Sequence, residues 1–187
     1  MSGALIRAED LEVGYAQPVV GPLSFTVLPG EVVGLAGPNG SGKSTVLKAL
    51  ANHVRVFAGN MHRRSELTIG WLQQQPLQLP EMPFNGWEYL RYARAADAPP
   101  AHLAAWLDQR VDSLSGGQFQ LLNVWAVLSS VAELLLLDEP TNNLDVEGEQ
   151  ILANTLKQLE QRRGVLLVSH DRAFLERVCD RVLEVGG

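Results

Sequence analysis

The sequence contains little cysteine, few basic residues and no long apolar run, and each shortage excludes a class of protein. Its single cysteine, Cys179, cannot form an internal disulfide, unlike the cysteines of small secreted scaffolds. Fifteen Lys and Arg against 21 Asp and Glu give a net charge of −6, which argues against nucleic acid as a main partner. The longest apolar stretch, residues 121–137, is broken by polar residues: Asn123, Ser129, Ser130 and Glu133. We therefore expect no segment that crosses a bilayer, which needs roughly 20 apolar residues.

Length and composition favour one globular domain. The 187 residues are 46% hydrophobic and 19% charged, as in folded soluble proteins. There is no internal repeat, low-complexity tract or linker, so we expect a single domain over residues 1–187. The N-terminus lacks the basic and apolar regions of a secretory signal, which favours the cytoplasm.

Short apolar runs between glycines and prolines predict β-strands. These runs occupy residues 5–13, 23–27, 31–36, 68–73, 133–137, 165–169 and 181–185. Helical patterns occupy residues 45–51, 146–161 (with Leu152, Leu156 and Leu159 on one face) and 172–179. The first two runs predict a small β layer. Apolar strands that alternate with helices predict a mostly parallel sheet covered on both faces.

Residues 76–130 have a different character, because they contain Pro99 and Pro100 and no convincing strand. Asn85 and Glu88 have the spacing of a helix-capping box. This segment is predicted to be a helical insertion. A second polar segment, with His53, His62, Arg63 and Arg64, is expected to form a solvated loop and no metal site.

A glycine-rich loop lies between a predicted strand and a predicted helix. The sequence GPNGSGKST at residues 37–45 has two glycines, Gly37 and Gly42, with four residues between them, followed by Lys and Ser. Such a loop points successive backbone N–H groups inward, and the helix N-terminus adds partial positive charge. The candidate nucleotide-binding residues here are Gly37, Asn39, Gly40, Ser41, Gly42, Lys43, Ser44 and Thr45. The pattern predicts that Lys43 binds the outer phosphates and that the Ser44 hydroxyl binds Mg²⁺.

Two further motifs follow the loop in order. LSGGQ occupies residues 114–118, and four leucines lead into Asp138 and Glu139 within LLLLDEPT at residues 134–141. With the phosphate loop, these motifs resemble the ATP-binding cassette (ABC) ATPases, and the resemblance covers nearly the whole chain. It implies an α/β P-loop NTPase fold: a mostly parallel sheet core, an N-terminal antiparallel β layer and an inserted helical subdomain.

The resemblance implies a role for each motif residue. Glu139 is the candidate general base, His170 the switch histidine and Asp145 the end of the D-loop. The candidate Mg²⁺ ligands are Ser44, Gln74 and Asp138. Gln74 and Lys43 are also candidate catalytic residues. The signature residues, expected to act on ATP bound by a second cassette, are Ser115, Gly116, Gly117 and Gln118.

Some positions have an alternative interpretation. Tyr15 stands where the family places an aromatic that stacks on adenine, but it could be a packed aromatic of the β layer. Gln74 is flanked by Gln73 and Gln75, either of which could be the Q-loop glutamine. The chain also departs from the family after the signature, since apolar residues at about Leu121 and Ala126 replace expected arginines.

Two function classes compete, and a cassette used in DNA repair or cluster assembly is a third, weaker alternative, because the long insertions of DNA-repair cassettes are missing. The first is the ATPase subunit of a membrane transporter, such as a metal importer, at the inner face of the membrane, with a second cassette and a transmembrane permease as partners. Residues 74–92, including Phe84, Trp87 and Tyr89, would then contact the permease. The second is a soluble ATPase of the F subfamily that acts on ribosomes. Residues 139–145 and 169–175 resemble the corresponding motifs of that subfamily. The single cassette and the acidic charge favour the transporter, with ATP and Mg²⁺ as cofactors and no direct nucleic-acid contact.

Overall fold

The computed structural model describes residues 3–74, 82–158 and 161–186. Its strands form two sheets: a three-stranded antiparallel sheet of order β2-β1-β4 and a five-stranded sheet of order β5-β6-β7-β3-β8. The strands are β1 (Ile6–Gly14), β2 (Pro18–Val27), β3 (Val32–Ala36), β4 (Arg55–Arg63), β5 (Ile69–Leu72), β6 (Leu134–Asp138), β7 (Gly164–Val168) and β8 (Arg181–Glu184). All neighbouring strands of the larger sheet are parallel. This arrangement confirms the predicted fold class.

The helices cover both faces of the parallel sheet. They are α1 (Lys43–Leu50), α2 (Gly86–Tyr92), α3 (Ala101–Ala104), α4 (Gly116–Leu128), α5 (Val146–Lys157) and α6 (Arg172–Val178), with a 3-10 turn at Val111–Ser113. Strands β3, β6 and β7 are buried at every position, which explains their continuous apolar sequences.

Three apolar clusters hold these layers together. The first lies between the two sheets and includes Leu47 and Leu50 of α1. The second lies on the other face of the parallel sheet, where α4, α5 and α6 pack, and includes Phe174. The third joins α2, α3 and α4 around Leu103 and Leu122. Because β3, β6 and β7 are parallel neighbours, their carboxyl ends meet at one sheet edge, where ligands of such sheets bind.

Every predicted strand is present, but one observed strand was missed. The prediction of a loop at residues 53–64 is wrong, because Arg55–Arg63 forms β4 and pairs with β1. This strand is exposed at residues 55–60 and lies at the edge of its sheet, so it has no alternating apolar pattern. Gly59, at φ 77°, sits where the β1–β4 register shifts, which is typical of a bulge.

The helical insertion is observed from residue 82 onward. The Asn85–Glu88 capping box is confirmed: the Glu88 N–H donates to Asn85 Oδ1 and the Asn85 N–H donates to Glu88 Oε2, both at 2.9 Å. Within residues 82–130 the only β pairing is an isolated bridge between Asn85 and Arg110. The predicted start near residue 76 and Leu159 of the predicted helix over residues 146–161 lie outside the described residues.

The unusual helix after the signature is a core helix. In α4 the positions of the expected arginines, Leu121 and Ala126, are 3% and 6% exposed. Both pack in the third cluster with Trp106 and Leu107. The apolar replacements are therefore compatible with this core. Among the described residues, no helix is long and apolar enough to cross a membrane.

Candidate nucleotide-binding site

The glycine-rich loop connects β3 to α1 and needs glycine at particular positions. Gly37, Gly40 and Gly42 have φ of 150°, 81° and 94°, a region that disfavours other residues. A Cβ at Gly42 would lie 2.8 Å from Cβ of Val20, and one at Gly37 would lie 2.3 Å from the carbonyl oxygen of Val185. No side chain caps α1, so its first N–H groups have no side-chain acceptor. This arrangement suits an anion at the helix N-terminus.

Lys43 folds over the loop. Its Nζ donates to the carbonyl oxygens of Gly37 at 2.8 Å and of Pro38 at 2.9 Å. The residue is only 7% exposed. Because an ammonium group has three donors, one remains for an incoming phosphate while the loop holds the other two.

Ser44 and Asp138 join α1 to the end of β6. The Ser44 hydroxyl donates to Asp138 Oδ1 at 2.9 Å, and Asp138 is 2% exposed. The pKa of Asp138 is raised, mainly by burial. The negative charge of Glu139 also raises this pKa, whereas the hydrogen bond from Ser44 and the charges of Lys48 and Lys43 lower it. Hydroxyl and carboxylate oxygens are the hard donors that Mg²⁺ prefers, so this pair fits that ion.

Glu139 and His170 form the next contact along the same sheet edge. Nδ1 of His170 lies 2.8 Å from Glu139 Oε2, and the backbone N–H of His170 donates to the same oxygen at 3.2 Å. Glu139 has φ 50°, a left-handed conformation that is costly for a residue with a side chain. It is 7% exposed, whereas the His170 side chain is 63% exposed. A strained, buried carboxylate therefore lies beside an accessible imidazole.

Lys43, Ser44 and Glu139 line a cleft of about 370 Å³. Its walls combine the loop, the residue after β5 and the end of β6: Val19, Asn39, Gly40, Gly42, Lys43, Ser44, Thr45, Gln74, Glu139 and Val168. Gln74 is exposed and follows β5 by two residues. A neighbouring cleft of about 330 Å³ shares the loop and is lined by Gly37 and His170. The predicted phosphate and metal residues are thus brought to one region.

Tyr15 lies immediately after β1 and is 52% exposed, so it is not a packed core aromatic. Its hydroxyl oxygen accepts a hydrogen bond from Lys48 Nζ at 3.0 Å, and that nitrogen lies 5.7 Å from the ring centroid. Sequence motifs did not identify Lys48. An aromatic ring fixed at one edge and open to solvent is suited to stacking.

The signature residues begin α4. The Gln118 N–H donates to Ser115 Oγ at 3.2 Å, and the Ser115 N–H donates to Gln118 Oε1 at 2.9 Å, which forms a capping box. Gly116 is exposed, and a Cβ at Gly117 would lie 2.5 Å from the carbonyl oxygen of Asn143. Asp145 caps α5 by accepting the Gly148 N–H at 2.7 Å.

A separate cleft of about 230 Å³ lies in front of this helix start. It is lined by His102, Trp106, Ser115, Gly117, Gln118, Leu121, Asn143, Leu144 and Asp145. None of these residues lines the cleft of Lys43. The signature and the phosphate loop of one chain therefore occupy different clefts.

Gln120 is a further polar residue that the motifs did not identify. It is 6% exposed, and its Nε2 donates to the carbonyl oxygen of Pro140 at 3.3 Å. This contact connects α4 to the segment that follows Glu139. The only signal in the sequence was an amide within an apolar helix.

Comparisons with known proteins point to one family. Residues 20–142 match a family model described as ABC transporter. The zinc import ATP-binding protein ZnuC of Pseudomonas fluorescens is 36% identical over 98% of this chain and 74% of its own length. The protein of the same name from Paracoccus denitrificans is also 36% identical, over 98% of this chain and 76% of its own length.

Solved structures support the fold. A structure titled as the ATP binding subunit of an ABC transporter has a TM-score of 0.79 at 24% identity, covering 97% of this chain and 86% of that chain. A bacterial Atm1-family ABC exporter with ATP bound has a TM-score of 0.80 at 21% identity, covering 97% of this chain and 37% of that chain. Because these identities are below 25%, the two structures show that the fold is shared and nothing more.

Proposed function

Because the chain belongs to the ABC transporter family, whose ATP-binding subunits are ATPases, we propose that it couples ATP hydrolysis by a pair of cassettes to transport by a membrane permease. The observation that carries this proposal is the set of contacts at one sheet edge, Ser44 with Asp138 and Glu139 with His170, beside a glycine-rich phosphate loop. Phosphate transfer to water needs positioned charge more than covalent chemistry.

ATP binding starts from a site whose polar groups are already paired with one another. The loop N–H groups and the N-terminus of α1 hold the β and γ phosphates, and the third ammonium donor of Lys43 points to them while the loop carbonyls hold the other two. Tyr15 stacks on the base at the other end of the nucleotide. The positive φ of Gly37, Gly40 and Gly42 keeps the backbone in the binding conformation before the nucleotide arrives.

The metal site uses the same edge of the sheet. Ser44, Gln74 and Asp138 would hold Mg²⁺, which would supply positive charge to neutralise the phosphate oxygens. The raised pKa of buried Asp138 means that its ionised form needs a cationic partner more than a solvated carboxylate does.

Hydrolysis needs a base near the attacking water. Glu139 is placed at the cleft by β6, and it accepts a proton from water while His170 stabilises the γ phosphate in the transition state. The His170 imidazole contacts Glu139, and it would turn toward the γ phosphate when ATP binds.

The remaining groups come from a second cassette. Ser115, Gly116, Gly117 and Gln118 begin a helix whose cleft is separate from that of Lys43, so they are available to a nucleotide held by a partner chain. Asp145 lines that same cleft. A monomer then binds ATP but hydrolyses it slowly, because half of each site is missing.

We infer a metal ion, zinc in particular, as the transported substrate, and a location at the inner face of the membrane. The support is the similarity to proteins named as zinc import ATP-binding proteins over 98% of this chain. The permease contact is proposed at α2, where Trp87 is exposed. Phe84 and Tyr89 are partly buried against the third apolar cluster, so they anchor α2 to that cluster and are less available to the permease.

The transporter assignment is tested by purifying the tagged chain from its native cells in mild detergent and identifying co-purifying proteins by mass spectrometry. A stoichiometric multi-spanning membrane protein is expected. Recovery with ribosomes and without a membrane protein would contradict it in favour of the soluble class.

The metal assignment has its own measurement. Cells that carry the Glu139→Gln variant in place of the wild type should accumulate less zinc when the medium is zinc-poor, as measured by elemental analysis. Normal zinc content together with lost ATPase activity would reject zinc as the substrate.

A further inference from the structure

Lys48 is a charged residue that the phosphate-loop chemistry leaves without a role. It lies on α1, five residues after Lys43, in the last turn of the helix. Its Nζ donates to the Tyr15 hydroxyl oxygen at 3.0 Å and lies 5.7 Å from the ring centroid. Tyr15 follows the last residue of β1 and belongs to no regular element.

The contact restrains a side chain that would otherwise be loosely held. Tyr15 is 52% exposed, so little packing fixes its two side-chain torsions. A cation at the hydroxyl edge holds the ring and leaves the rest of it exposed. An immobilised aromatic side chain loses less conformational entropy when it stacks on a ligand, and ordering such a side chain is a recognised part of the cost of binding.

The position of Lys48 also relates the two ends of the cleft. Helix α1 carries Lys43 and Ser44 at its start and Lys48 near its end, so one rigid element orients phosphate, metal and base contacts together. The Tyr15 ring is thereby fixed relative to the phosphate loop.

We propose that Lys48 is a positioning residue for base binding, whose ammonium group holds the Tyr15 ring in the orientation that stacks on the nucleotide base. This inference rests on the proposed stacking role of Tyr15. It assigns Lys48 to the part of the binding energy that depends on the base, and not to phosphate recognition.

The test measures the affinity of purified full-length protein for ATP and for inorganic triphosphate, which has no base, by titration calorimetry. Lys48→Met keeps an unbranched side chain and removes the cation, whereas Tyr15→Phe keeps the ring and removes the hydroxyl acceptor. Each should weaken ATP binding about two- to tenfold, the range for losing one preorganised side chain. Triphosphate affinity should stay unchanged, and Lys48→Arg should retain most of the ATP affinity.

The double variant gives the sharpest discrimination. If Lys48 acts through the Tyr15 hydroxyl, combining Lys48→Met with Tyr15→Phe should weaken ATP binding no more than the stronger single change does. Additive losses would overturn the proposal, as would equal losses for ATP and triphosphate, since Lys48 would then act on the phosphates. Lys157→Met, on the exposed end of α5, is the control for loss of one lysine charge.

Tyr15→Ala separates failure of this inference from failure of the proposed site. Weaker ATP binding by Tyr15→Ala with no effect of Lys48→Met would reject only the positioning role. Unchanged ATP binding by Tyr15→Ala would reject the stacking role of Tyr15 and the inference with it. Thermal unfolding of each variant checks that the fold is intact.

Discussion

Replacing Asp138 with asparagine should stabilise the nucleotide-free protein while removing most of its stabilisation by nucleotide and Mg²⁺. Asp138 is 2% exposed, and burial is the main cause of its raised pKa. Its ionised form at neutral pH therefore destabilises the fold. Asparagine has nearly the same shape and can still accept the hydrogen bond that Ser44 donates at 2.9 Å. We expect about 0.5–2 kcal/mol of added stability, the range typical of single stabilising substitutions.

The sign of the pH dependence follows from the raised pKa. A group whose pKa is higher in the folded state than in the unfolded state loses its stabilising effect as the pH rises through the folded-state value. The free energy of unfolding of the wild type should therefore fall with rising pH relative to that of Asp138→Asn. The advantage of the variant should be largest at neutral pH and should shrink as the pH is lowered, because Asp138 becomes neutral.

Urea unfolding at about pH 4, close to the ordinary pKa of an aspartate, and at about pH 7.5, with and without Mg²⁺ and a non-hydrolysable ATP analogue, measures both effects. At a ligand concentration 100 times the Kd, the wild type should gain about 2.7 kcal/mol, and the variant much less. Asp97→Asn, at an exposed position, is the control and should change stability by less than about 0.5 kcal/mol. A variant less stable than the wild type at pH 7.5, or a difference that is the same at both pH values, would refute the reasoning.

Three further substitutions test other parts of the account. Glu139→Gln should lower kcat for ATP hydrolysis about 10²- to 10⁴-fold while calorimetry still detects ATP binding, since a general base is lost and the phosphate loop is not. Gly42→Ala should lower the free energy of unfolding in urea by about 1–2 kcal/mol, because φ is 94° and a Cβ would lie 2.8 Å from Cβ of Val20. Leu121→Arg should cost about 3–5 kcal/mol in the same assay, because a charge would replace a leucine that is 3% exposed and packed in the third apolar cluster; an effect below about 1 kcal/mol would show that α4 tolerates the family's arginine.

The sequence predicted the parts of the fold that are buried. Strands β3, β6 and β7 are apolar at nearly every position because both faces are covered, and this pattern made them visible. Strand β4 was missed because it is exposed over residues 55–60 and bulged at Gly59. An edge strand of this kind depends on pairing with β1, a long-range contact that no local pattern reports.

The candidate site followed from motifs, whereas its internal contacts did not. Glycine spacing indicated the loop around Lys43, but the hydrogen bonds of Lys43 to the loop carbonyls depend on the folded backbone. The same holds for the contact of Lys48 with Tyr15, since these residues are 33 positions apart and are brought together by the packing of α1 against β1.

The central claim is that a complete site needs two copies of the cassette, and mixing two inactive variants tests it most directly. Lys43→Ala damages the phosphate loop, and Ser115→Arg obstructs the signature cleft, so each variant alone should have little ATPase activity. In an equal mixture, about a quarter of the wild-type rate should return, because half of random pairs are mixed and each mixed pair has one intact site. No recovery on mixing, with both proteins folded and able to pair, would contradict a site shared between two chains.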